Sequence, residues 1–251
     1  MSRETEVRTA VRRTYGRLAG QEPSAGGGPE AISCCGSAPA AAETRPAGSG
    51  LSCGDPVTPA MIKAGEIVVD LGAGPGADCF LAAEKVGHSG RVIGVDMTPS
   101  MIEKARANAA KAGYANVEFR LGEIEHLPAA DASVDCIISN CVVNLSPDKP
   151  QVFREAHRAL KPGGRMLVSD LVLTRPLSPA LQTDVALYVG CIAGAALRDD
   201  YLRMIREAGF ADVEVVAESG YTVGLDTLPE GSPEREAFAA VLSVKVRARK
   251  R

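Results

Sequence analysis

A run of β-branched residues, Ile67-Val68-Val69-Asp70-Leu71, ends on Gly72-Ala73-Gly74-Pro75-Gly76 and gives way to a helical pattern over 78–85. Apolar residues without alternation predict a strand buried on both faces, as in the middle of a parallel sheet. The glycines allow a tight turn and let a ligand come close to the backbone. Strand, glycine turn and helix in that order are the context a nucleotide-binding loop requires.

The pattern then repeats. Arg91-Val92-Ile93-Gly94-Val95 predicts a second strand, and Pro99 opens a helix through Lys111, proline being well tolerated at a first helical position. Third and fourth strands are predicted at 117–121 and 134–138, and a helix over 149–160. Lys161-Pro162-Gly163-Gly164 reads as a strong break before a fifth strand at 165–170. Strands alternating with helices imply parallel pairing with helices on both faces, a doubly wound α/β sheet of Rossmann-like type. Helical stretches at 179–189 and 199–209 follow, and strands at 213–217 and 241–247 look like an antiparallel C-terminal edge. At the other end, Val7, Ala10, Val11, Tyr15 and Leu18 fall at helical spacing.

Three segments are expected. Residues 1–54 form an N-terminal helix and a Gly, Ala, Ser and Pro-rich linker, 55–175 the cofactor-binding core, and 176–251 substrate-binding helices and terminal strands packed on that core. A formal net charge of −3 gives no footprint for nucleic acid. The basic end is better read as a half-exposed strand, because Lys245, Arg247 and Arg249 alternate with Val244, Val246 and Ala248. No apolar run reaches membrane-spanning length and the N-terminus lacks a signal-peptide core, so a cytoplasmic monomer without membrane contact is expected. The seven cysteines include no Cys-x-x-Cys pair. In a reducing compartment such dispersed thiols are reactive, ligating or buried rather than a disulfide framework.

Asp96 ends the second strand roughly 20 residues past the glycine turn, where a carboxylate accepts ribose hydroxyls. The glycines are spaced Gly-x-Gly-x-Gly rather than Gly-x-Gly-x-x-Gly, and Asp70 sits in the turn region. A carboxylate there repels a pyrophosphate but suits an amino-acid ammonium or an ordered water. S-adenosylmethionine is therefore favoured over NAD. With these motifs in this order, the stretch from Glu66 to Asp170 resembles the class I methyltransferases. The resemblance implies cofactor contacts at Asp70, Gly72, Ala73, Gly74 and Gly76, ribose binding by Asp96, and adenine cover by Met97. It implies adenine contact at Glu123 or Ile124, and places Asn140 toward the methionine end.

Three cysteines stand beside small residues or at element ends: Cys53 in Ser52-Cys53-Gly54, Cys141 in Ser139-Asn140-Cys141, and Cys191 in Gly190-Cys191-Ile192. Taken singly, a free cysteine is commonly a small buried hydrophobe. Together, with Leu145-Ser146-Pro147-Asp148-Lys149, Asp96-Met97-Thr98-Pro99 and Cys34-Cys35-Gly36, they resemble the arsenite methyltransferases from about Val7 to Phe210. The resemblance implies that Cys53, Cys141 and Cys191 bind trivalent arsenic as thiolates. It implies that Cys34 or Cys35 serves a redox relay fed by glutathione or a thioredoxin-type reductant. The residues alone are equally compatible with incidental loop thiols at 34 and 35.

The chemistry fits, because soft sulfur matches a soft metalloid. Three thiolates leave arsenic one lone pair, which attacks the sulfonium methyl in line and displaces the thioether sulfur without a general base. Catalysis is then mostly positioning. A structural zinc would want cysteine pairs two to four residues apart, and none exists. Cys79 and Cys136 read as core, and His88, His126 and His157 follow no ligand spacing. Two rivals remain: a methyltransferase for a small organic acceptor, and a metalloid-binding protein without catalysis.

Overall fold

The computed structural model describes residues 3–20, 54–221 and 229–251. Helix α1 (Arg3–Ala19) is followed by five strands and three helices: β1 (Ile67–Leu71), α2 (Ala77–Val86), β2 (Arg91–Asp96), α3 (Pro99–Ala112), β3 (Val117–Leu121), β4 (Val134–Asn140), α4 (Lys149–Ala159) and β5 (Leu160–Leu173). Then come α5 (Pro179–Gln182), α6 (Val185–Val189), α7 (Arg198–Glu207), β6 (Ala211–Gly220), α8 (Pro233–Ala239) and β7 (Val241–Arg249). No helix among the described residues is long and apolar enough to cross a membrane.

The seven strands form one sheet in the order β3-β2-β1-β4-β5-β7-β6. The first five pair in parallel, while β7 runs antiparallel to both β5 and β6. This is the doubly wound sheet with an antiparallel edge that the strand pattern predicts. Alternate residues of each strand feed opposite layers, the period-2 rule of a pleated sheet. Val68, Val92, Cys136, Ile138 and Leu167 pack under α2 and α3 with Phe80 and Phe119. Val69, Ile93, Ile137, Met166 and Val168 pack under α4 and α7 with Phe153 and Tyr201. Lys245, Arg247 and Arg249 alternate along β7 with buried Val244, Val246 and Ala248.

Two local expectations are corrected. The chain does not break at Lys161–Gly164. It bulges between Val134/Leu160 and Cys136/Arg165 but stays within β5. Gly163 takes φ +79, a left-handed conformation that suits glycine, and its N–H bonds Lys250 O while Lys250 N–H returns to Gly164 O. The single helix expected over 179–189 is two short ones. The Asp184 carboxylate accepts from Leu187 N at 2.8 Å and starts a second helix there.

Strand order reverses between β1 and β4, both of which lie inside the parallel part of the sheet. In open α/β sheets the crevice beyond the carboxyl ends at such a switch point receives the ligand. The glycine turn leaves β1 there, and Asn140-Cys141 leaves β4.

Candidate active site

A cavity opens at that switch point. Its walls are the glycine turn (Gly72, Ala73, Gly74, Pro75), the end of β2 (Asp96, Met97, Thr98), the 122–125 loop, the end of β4 (Asn140, Cys141, Val142) and Arg8, Val11 and Tyr15 of α1. Gly74 takes φ +50, and the place where a Cβ would stand is open, so the backbone itself faces the cavity. Gly72 takes φ +68 and leaves no room for a side chain, since a Cβ would run into Val142 of the neighbouring strand end. Gly76 has a different task. A Cβ there would meet Phe119 and Phe80, so it seats the start of α2 on the core and does not line the cavity.

Asp96 is held by two backbone amides: Gly74 N–H donates to Oδ2 at 3.0 Å and Thr98 N–H to Oδ1 at 2.8 Å. Each oxygen keeps a second lone pair for a ligand. Burial raises its pKa, and the two amides pull it part of the way back. Asp70 is buried at the foot of the cavity, where the Cys79 thiol donates to it at 3.2 Å. Burial above all, then the neighbouring Asp78, raises its pKa well above the carboxylate range. Asp70 is thereby favoured in its neutral form, and Asp78 and Asp96 are the carboxylates that favour a cationic ligand in the cavity.

Among the other residues expected to touch a cofactor, Met97 and Ile124 line the cavity. Glu123 turns away from it, its carboxylate 3.8 Å from Arg8 and 3.6 Å from Arg12. Asn140 is both wall and tie: its Nδ2 donates to Gly54 O at 2.9 Å and to Asp78 Oδ2 at 2.8 Å. The chain at Gly54 is thus fastened beside Cys141. Cys34, Cys35 and Cys53 lie outside the described residues.

Cys141 and Cys191 are brought together. The Cys191 thiol donates to Cys141 O at 3.0 Å, and both side chains belong to one buried cluster with Val11, Leu145 and Ile192. Both residues have left-handed backbones, φ 54 and φ 63, which make up two of the five such non-glycine residues described. That conformation is costly for a residue with a Cβ and persists only where the surroundings impose it. Here β5 helps hold the first, since Cys141 N–H donates to Ser169 O at 2.8 Å. Contrary to the expectation of reduced thiols throughout, Cys141 is disulfide-bonded. Cys79 and Cys136 are buried free thiols, and burial pushes Cys136 up to about 12.

The sequence reading missed the buried polar network behind the cysteines. Asp170 accepts from Asn144 Nδ2 at 2.8 Å, Leu171 N at 2.9 Å and Tyr201 OH at 3.1 Å. Lys149 Nζ donates to Ser146 O at 3.0 Å, and a Cβ on Gly194 would strike Asn144 O. The Asp170 bonds tie Asn144 and Tyr201 to the end of β5, and the missing side chain at Gly194 lets the 190–194 turn lie against Asn144. Only Asp170 standing at the end of a strand hinted at it.

Burial pushes Asp170 up to about 7. The native protein therefore keeps a proton that the unfolded chain has lost, and stability falls as pH rises from about 4 to about 7, by up to about 4 kcal/mol. Asp170→Asn keeps an acceptor for Asn144 and Leu171 and lets Tyr201 accept instead of donate. Urea unfolding at pH 5 and pH 8 should show the variant gaining on the wild type at the higher pH. Parallel pH profiles would refute the assignment.

The methyltransferase-domain family model matches residues 62–209. The arsenite methyltransferase of Halobacterium salinarum is 50% identical over 201 residues, covering 80% of this chain and 51% of the relative. That of Aquipseudomonas alcaligenes is 42% identical over 191 residues, covering 73% of this chain and 55% of the relative. The chain spans about half the length of these curated relatives. Among solved structures, an arsenic(III) S-adenosylmethionine methyltransferase from Chlamydomonas reinhardtii superposes with a TM-score of 0.67 at 38% identity, covering 79% of this chain and 66% of the other.

Proposed function

The chain belongs to the methyltransferase-domain family, and on that footing we propose that it transfers a methyl group from S-adenosylmethionine to trivalent arsenic held by cysteine sulfur. The observation that carries the reading is a juxtaposition. Cys141 lines the same cavity as Asp96 and the glycine turn, and the Cys191 sulfur lies 3.0 Å from the Cys141 carbonyl. The names and substrates of the similar proteins point the same way.

The cavity suits the cofactor on its own evidence. The open backbone at Gly74 admits a close ligand, Asp96 offers an acceptor lone pair on each oxygen, and the Asp78 and Asp96 carboxylates favour a ligand with ammonium and sulfonium charges. Bound S-adenosylmethionine supplies an electrophilic methyl group. Asp96 holds the ribose, Met97 and Ile124 flank the base, and Asp70, Asp78 and Asn140 lie toward the charged end. Residues 55–175 carry this part of the work, and the segment from 176 brings Cys191 to it.

Cys141 and Cys191, with Cys53 as third ligand, exchange their thiol protons and the three hydroxyls of arsenite for three As–S bonds and three waters. The remaining lone pair on arsenic attacks the methyl carbon, so the protein's task is alignment and the exclusion of water. No base is required. Because Cys141 is disulfide-bonded, a thiol reductant must deliver two electrons before its sulfur can take arsenic. Glutathione or a thioredoxin-type protein fits that need, with Cys34 or Cys35 as relay. Methyl transfer oxidises arsenic to the pentavalent state, and each further round consumes two more electrons from the same source.

Incubation with arsenite, methyl-labelled cofactor and a thiol should yield labelled methylarsenicals on chromatographic speciation, and none when the thiol is omitted. Arsenite binding with no labelled product would identify a sequestering protein instead. Label appearing only on an organic acceptor would end the arsenic reading.

A further inference from the structure

Arg8 of α1 has a fixed and unusual environment. Its Nη2 donates to Glu125 Oε1 at 3.3 Å, and its Nη1 lies 3.8 Å from Glu123 Oε2. Glu125 is itself buried and pinned, accepting from Ser146 Oγ at 2.6 Å. The two outer nitrogens are therefore committed to carboxylates, which also compensate the guanidinium charge. The third nitrogen, Nε, is shielded from solvent and has no acceptor among the described residues. Buried donors are nearly always paired, so an unmatched one in a cavity wall marks a place where a ligand supplies the acceptor. Arg8 lines the cofactor cavity together with Gly122, Ile124 and Met97.

We propose that Arg8 is a specificity-determining residue that donates from Nε to a ring nitrogen of the cofactor's purine base, an inference that rests on the methyltransferase reading above. Charge selects the base over the amino-acid end. A guanidinium already facing Glu123 and Glu125 gains little from a third carboxylate, whereas a neutral ring nitrogen needs only a well-aimed N–H. The purine edge offers such acceptors, and Val11, Met97 and Ile124 put apolar surface in the same cavity as Arg8.

Two variants in the full chain test this. Arg8→Met removes every donor. Arg8→Lys keeps a charge for Glu125 but cannot present a side-on N–H with the head group engaged. Calorimetric binding of S-adenosylhomocysteine should weaken about tenfold in both, and 5′-methylthioadenosine, which lacks the amino-acid end, should weaken by the same factor. Among the 1-, 3- and 7-deaza analogues of S-adenosylhomocysteine, one should bind wild type and Arg8→Met alike, the signature of a shared contact. Equal losses for all three analogues on top of the substitution would assign Arg8 to helix docking alone and overturn the proposal. So would unchanged affinity in Arg8→Met. Wild-type protein that binds no S-adenosylhomocysteine would instead refute the methyltransferase reading itself.

Discussion

Replacing Cys141 by serine is expected to lower arsenite methylation by at least about a hundredfold, the scale of losing one arm of a multi-point capture, while cofactor affinity stays within about twofold. The reason lies in how little else the substitution changes. Serine is nearly isosteric, tolerates the left-handed backbone about as well as cysteine does, and leaves the Cys141 N–H bond to Ser169 O intact. The carbonyl that accepts from the Cys191 thiol is a backbone atom and also survives. What disappears is a soft sulfur and the disulfide it forms; with saturating thiol present the disulfide is reduced in either protein, and a hard hydroxyl does not replace the sulfur toward trivalent arsenic. Turnover assays with a saturating thiol, paired with calorimetry of S-adenosylhomocysteine, separate capture from cofactor binding. A Cys141→Ser enzyme that methylates arsenite within a few-fold of wild type would place the capture elsewhere. Cys191→Ser sharpens the comparison, since its hydroxyl can still donate to Cys141 O and so preserves the turn while removing the ligand.

The sheet was legible because buried parallel strands announce themselves. Ile67–Leu71 and Ile137–Ile138 are apolar without alternation, and glycine or proline punctuates each crossing to a helix. The glycine turn and Asp96 were legible for the same reason, as their spacing is local. Long-range geometry was not. Nothing in the sequence says that Arg8, more than a hundred residues from Glu125, turns its guanidinium into the same cavity. The helical spacing of α1 identified its apolar side, where Val11 and Tyr15 do fall, but not the polar residue at the margin. Glu123 and Ile124 could not be separated by sequence, because a loop has no fixed period. The fold separates them, sending Glu123 toward Arg12 and Ile124 into the cavity. At Lys161–Gly164 local propensity pointed to a break, and the pairing of Gly163 and Gly164 with Lys250 overrode it.

Asp96→Ala is expected to weaken S-adenosylmethionine about a hundredfold, the equivalent of roughly 3 kcal/mol, as two hydrogen bonds to a charged group are lost. The carboxylate joins the two halves of the cavity. One oxygen bonds the turn at Gly74 and the other bonds Thr98, so its removal also frees the backbone that would face the ligand. Asp96→Asn separates these effects. Its amide keeps one acceptor for a backbone N–H, loses the second, and presents a donor where a ribose hydroxyl would donate, so an intermediate loss of about tenfold is expected. Because burial raises the Asp96 pKa, ligand hydroxyls that favour the carboxylate should also draw off its residual proton. Wild-type binding should therefore release protons at mildly acidic pH, read as a buffer-dependent enthalpy that is absent in Asp96→Asn. A wild-type binding enthalpy that is the same in all buffers, or unchanged affinity in Asp96→Ala, would remove Asp96 from the cofactor site. In that case the negative charge of the cavity would rest on Asp78, and the ligand would have to be held by its charged end rather than its sugar.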